Sequence, residues 1–138
     1  MEEYTFKICK SSWGVYVKLI AEYVQMDFAH VQQAVQIDEN IWLKFSEKPL
    51  TKGAKFWDGD IPYLKKGLQL VKDNIKTKSK YPNTLIVIHD IIYNPCHFQE
   101  EGIIAAIVGW SAKVFEFVPP NIDVSFNKAQ NKYEFEFK

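Results

Sequence analysis

Hydrophobic and polar residues alternate from the first turn of the chain, with Tyr4, Phe6 and Ile8 on one side of a segment running to Lys10. Alternation of period two predicts a strand. From Trp13 to Gln25 the composition is rich in β-formers (Val15, Tyr16, Val17, Ile20, Tyr23, Val24). The same apolar positions also fit a helix capped by Ser12, and the β-branched and aromatic content favours the strand. Phe28 to Ile37 fits either element. Ile41, Leu43 and Phe45 alternate with Trp42 and Lys44, predicting a strand that ends at the turn Lys48-Pro49-Leu50-Thr51-Lys52-Gly53.

Beyond that turn the period changes to that of a helix. Asp60 is placed to cap a helix with Pro62 in its first turn, and Ile61, Leu64, Leu68, Val71 and Ile75 recur at helical spacing. Gly67 inside this helix implies close packing on the sheet, because glycine there costs about 1 kcal/mol relative to alanine. Thr84-Leu85-Ile86-Val87-Ile88 is a nearly continuous apolar run, expected of a strand covered on both faces. A second helix is predicted from Phe98 to Phe117, with Ile103, Ile104, Ile107, Val108, Ala112 and Phe115 inside and Pro119-Pro120 ending it. Ile122, Val124 and Phe126, then Tyr133, Phe135 and Phe137, alternate on either side of a polar turn at Asn131. These elements predict an α/β (α+β) two-layer sandwich, with a mixed sheet of about four or more strands and two helices packed on one face.

Composition narrows the class. The 138 residues suit one domain over 1–138, and 47% hydrophobic with 15% aromatic content argues against disorder. No stretch approaches the roughly 20 apolar residues that cross a bilayer, and the acidic start Met1-Glu2-Glu3-Tyr4 is unlike a secretory signal. A cytoplasmic protein is expected. Seventeen basic residues balance seventeen acidic ones, and every basic residue is lysine. Arginine is the usual bidentate reader of phosphate and guanine, so its absence argues against nucleic acid as the main ligand. The run Lys76-Thr77-Lys78-Ser79-Lys80 reads as a solvated helix end.

The densest candidate chemistry lies between Ile88 and Gly102, where His89, Asp90, Cys96, His97, Glu100 and Glu101 crowd together. Cys96 and His97 are neighbours whose side chains diverge in an extended segment, and no oxyanion-hole glycines flank them. His89, Asp90, Cys96 and His97 lack the paired spacing of a zinc site. Asp58-Gly59-Asp60 resembles part of a calcium loop but lacks the further oxygen ligands and closing glutamate. No catalytic residue, metal or cofactor is therefore expected, and Cys96 is expected to be buried at the helix start. Trp110, among small helical residues, is expected in the core; Trp42 and Trp57 fall on polar sides, where tryptophan serves as an interface anchor.

Several of these residues also carry a family likeness. Ile61-Pro62, Lys66-Gly67 and Gln69 resemble the helix of the fourth domain of translation elongation factor G and its ribosomal-protection relatives. Pro49-Leu50, Gly53, Tyr81-Pro82, Leu85 to Ile88, Asp90, Tyr93, Glu100, Ala105, Ala106 and Pro119 extend the likeness over about residues 40–126. Residues 1–39 and 127–138 then supply additional strands. The resemblance implies a sheet of about four strands with two helices on one face, and a tip loop at Asp90 to Glu100 that in the factor reaches the ribosomal decoding centre. Here the tip departs from the pattern, with Ile91 in place of glycine, Asn94 of histidine and His97 of aspartate. With no GTPase domain among these residues, nucleotide hydrolysis is not expected.

A non-enzymatic binding protein is the expectation that remains. By analogy and elimination the chain is similar to the small bacterial immunity proteins that neutralise a cognate toxin. The expected contact surface joins the two customised loops through Trp57, Asp58, Asp60, Tyr93, Asn94, His97, Phe98, Glu100 and Glu101, with one protein partner. The alternative is a ribosome- or RNA-associated module.

Overall fold

Strands form where alternation is strict, and the first two build one long hairpin. The computed structural model describes residues 1–30, 34–51, 58–93 and 98–137. Strand β1 (Glu2–Cys9) pairs antiparallel with β2 (Gly14–Gln25), in register from Glu2↔Ala21 to Cys9↔Gly14. The ambiguous stretch after β2 resolves into a 3-10 turn at Phe28–His30 and a short strand β3 (Val35–Asp38), which pairs antiparallel with β4 (Ile41–Phe45). The long apolar strand β5 (Thr84–Tyr93) lies between β2 and β4, antiparallel to the first and parallel to the second. The result is a mixed five-stranded sheet in the order β1-β2-β5-β4-β3. Two further strands, β6 (Ile122–Asn127) and β7 (Lys132–Phe137), form a separate antiparallel pair. Asn131 turns between them with a positive φ of 52°, a conformation asparagine tolerates.

Among the described residues three α-helices join these strands, because one of the two predicted helices is broken. The predicted first helix divides into α1 (Ile61–Leu70) and α2 (Lys72–Lys78). At the junction Val71 leaves helical geometry (φ −118°, ψ 13°), and its N–H donates to the Leu68 carbonyl three residues back. The break keeps both Val71 and Ile75 buried, so a periodic apolar pattern continues across it. α3 (Glu101–Phe115) begins three residues later than the alternation suggested and ends two residues earlier. It ends at Glu116, which adopts a left-handed φ of 58°, while Phe117 N–H returns to the Ala112 carbonyl at 3.1 Å. That left-handed stop precedes the prolines expected to end the helix.

The core fills the space between the helices and one face of the sheet. Val15, Val17, Leu19 and Ala21 of β2, with Ile86 and Ile88 of β5, meet Leu64, Leu68, Ile103, Ile104, Ile107 and Trp110. Gly67 is buried, as expected, but a side chain there would strike Ile107 and stand 3.1 Å from the Ile104 carbonyl. The glycine therefore permits α1 to approach α3, not the sheet. On the opposite face Met26, Leu85 and Val87 form a smaller cluster, with Trp42 partly buried against it and Phe28 edge-on to the Trp42 ring at 5.3 Å. Trp42 is thus a packing residue on the sheet's second face.

Candidate functional site

β5 continues five residues past the predicted strand, which moves the start of the supposed tip loop. His89 is the extra residue of a bulge, since Ala21 pairs with Ile88 and Ile20 with Asp90. A bulge lets a strand carry polar residues without losing register beyond them. His89 Nε2 lies 2.7 Å from Glu22 Oε2, and no described hydroxyl or thiol hydrogen-bonds the ring. Asp90 is 1% exposed, and its Oδ2 accepts from the backbone N–H and the hydroxyl of Thr51. Among the described residues its other oxygen, Oδ1, has no hydrogen-bond partner. Leu50 N–H donates to the His89 carbonyl at 3.2 Å, so the segment after β4 is strapped to the end of β5. Thr51, Asp90 and Glu22 form no part of the surface expected from the sequence. The signal for Asp90 was a carboxylate set inside an apolar strand.

At that end of β5 the described residues flanking the two customised loops come together. Tyr93, the last strand residue, stacks on Phe98 with ring centroids 4.0 Å apart and planes at 21°. Asp60 lies close enough to act on Tyr93: the phenol pKa is raised by burial first and then by the Asp60 charge. Asp60 was expected to cap α1 through its side chain. It makes no such bond, because Asp58–Asp60 forms a 3-10 turn that already places Asp60 at helical angles (φ −80°, ψ −21°). Its carboxyl pKa is raised by burial. Among the described residues no ion pair or side-chain hydrogen bond holds the carboxylates of Asp60, Asp58 or Glu100. Glu101, in the first turn of α3, accepts a 2.6 Å bond from Gln99, which also bonds the Tyr133 backbone in both directions. These bonds fix the entry to α3 against β7.

Of the nine residues expected at the contact surface, Asp58, Asp60, Tyr93, Phe98, Glu100 and Glu101 thus sit at the beginnings of α1 and α3 and the end of β5. Trp57, Asn94 and His97 lie outside the described residues, as does Cys96. No group of three or more His, Cys, Asp or Glu among the described residues is arranged to hold a metal ion. No described helix is long and apolar enough to cross a membrane. No protein-family model matches the chain, and no curated protein sequence matches it.

Proposed function

We propose that the protein is a non-enzymatic binding module, a cognate immunity protein that neutralises a basic bacterial toxin by docking the acidic, aromatic end of its sheet. The observation that carries this reading is Asp60, half-buried beside Tyr93 with no cationic partner among the described residues. A carboxylate kept partly out of water without a counter-ion weakens the isolated fold, and such arrangements gather at functional sites. A lysine or arginine from a partner supplies the missing charge. The Tyr93–Phe98 stack offers a rigid apolar platform beside it, the kind of group that anchors interfaces. Exposed Asp58 and Glu100 add negative potential around the rim, which speeds encounter with a basic surface more than it adds affinity.

The test is co-expression with the product of the adjacent gene, followed by calorimetry on the purified pair. Asp60→Lys should weaken the complex by 2 kcal/mol or more, about thirtyfold or greater. Asp58→Lys and Glu100→Lys should mainly slow association. Affinity unchanged by all three places the interface elsewhere. Salt-sensitive binding to ribosomes, with no protein partner, overturns the immunity reading in favour of the module type seen in elongation factor G.

A further inference from the structure

A second surface lies away from that end, where the two sheets face one another. A cleft of about 610 Å³ opens between β1 and the β6–β7 pair, lined by Phe6, Ile8, Val124, Phe135, Glu134 and Glu136 among others. β1 pairs only with β2, and β6 only with β7, so the described chain leaves an open edge on each side of the cleft. The apolar side chains of β1 and of the β6–β7 pair share one floor, with Phe6 of β1 and Phe135 of β7 in ring contact at 5.8 Å. At one end Lys10 bridges the cleft, its Nζ donating to the Val124 carbonyl at 2.6 Å. That bond shows that β6 turns a main-chain acceptor into the cleft. It also shows that a lysine side chain, not a ladder spacing of about 4.8 Å, separates the chains there.

We infer that this cleft accepts one extended strand of a protein partner, which pairs with the open edges and joins the two sheets. Strand addition of this kind draws affinity from main-chain bonds and selectivity from alternate side chains. The side chains fix the chemistry of the occupant. One wall carries the carboxylates Asp123, Glu134 and Glu136, with the Lys10 ammonium at one end, while the floor is apolar. The fitting strand therefore alternates apolar residues, directed to Phe6, Ile8 and Phe135, with lysine or arginine directed to the carboxylates. Lys10 occupies the Val124 carbonyl in the free protein and gives it up to the incoming N–H.

The probe is a labelled nine-residue peptide alternating valine and lysine, followed by fluorescence anisotropy and by amide hydrogen exchange on the whole chain. Binding is expected, with at least tenfold greater protection of amides in β1 and β6 and none at β3, the opposite edge. The same peptide with glutamate for lysine should bind at least tenfold more weakly, as should a version methylated at alternate backbone nitrogens. Glu134→Gln and Glu136→Gln, both at exposed positions of β7, should reduce binding of the lysine peptide, and Glu134→Gln keeps an oxygen that accepts from Asn127. Equal binding of the lysine and glutamate peptides, protection outside β1 and β6, or no binding overturns the inference. Self-association of the protein through β1, read by sedimentation and unaffected by the peptide, overturns it in favour of a second copy as occupant.

Discussion

The two ends of α3 are built on opposite terms. At its C-terminal end Trp110 is wholly buried, with its ring edge-on to Phe115 and its indole N–H donating to the Glu2 carbonyl at 3.1 Å. Phe115 packs in turn on Tyr23 at 4.5 Å, Ser111 returns its hydroxyl to the Ile107 carbonyl, and Lys113 bonds the Glu3 carbonyl. Each of these three polar side chains has a partner. At the N-terminal end the aromatic pair Tyr93–Phe98 adjoins a half-buried carboxylate that has none among the described residues. The first arrangement maximises stability of the isolated chain. The second leaves one carboxylate without a partner among the described residues, and on the reading proposed above that difference separates a structural end from a recognition end.

The largest effect should come from breaking the sealed end. Trp110→Ala removes a fully buried ring and its bond to β1, with an expected loss of about 3–5 kcal/mol in urea unfolding. A loss below about 1 kcal/mol would mean that the end is not packed as described. Next comes the contact between the helices that joins the two ends. Gly67→Leu must displace Ile107 and press on the Ile104 carbonyl, a backbone atom that cannot swing aside. The expected loss lies toward the upper part of about 1–3 kcal/mol. Stability equal to the parent would show that α1 and α3 do not meet at this glycine.

At the proposed recognition end, Thr51→Val deletes one of the two donors to the buried Asp90 while keeping the side-chain volume. The Thr51 N–H remains at 2.9 Å, so the expected loss is about 1.5 kcal/mol. Hydrogen exchange of the Leu50 amide should rise with it, since that amide belongs to the same strap. An unchanged unfolding curve would show that the strap contributes nothing to stability.

How much of this was legible in the sequence follows the same division. Around Trp110 the apolar spacing of Ile103, Ile104, Ile107, Val108 and Phe115 marked the buried face of α3, and all five are buried. Period and burial coincide when packing alone decides. The break at Val71 was hidden because Val71 and Ile75 keep helical spacing on both sides of it, and a pattern of side chains carries no record of one backbone angle. The extension of β5 to Tyr93 was hidden because His89 and Asp90 interrupt the apolar run. The bulge absorbs one of them and Thr51 satisfies half of the other, neither of which follows from spacing. At the site, the acidic and aromatic residues could be named from their loops. The approach of Asp60 to Tyr93 could not, because it depends on where β5 stops.

The smallest expected effect sharpens the comparison most. Asp60 has its carboxyl pKa raised in the folded protein because burial disfavours the anion. An acid whose folded pKa exceeds its unfolded value is better tolerated when protonated. The folded state is therefore relieved at low pH and loses stability as pH rises from the unfolded pKa through the folded one. Asp60→Asn removes the charge while keeping the shape, so at pH 7 it should raise the melting temperature slightly. The gain should shrink toward zero as the pH falls through the range where Asp60 itself becomes protonated. Asp38 behaves in the opposite sense: its bond to Lys76 at 2.6 Å holds its carboxyl below the usual range. Asp38→Asn should lower the melting temperature at pH 7 and lose that effect in acid. Paired melts of the two variants from pH 7 to pH 3 should therefore approach the parent from opposite sides. If Asp60→Asn instead lowers the melting temperature at neutral pH, Asp60 is a stabilising group of α1. The N-terminal end of α3 would then hold no charge waiting for a partner.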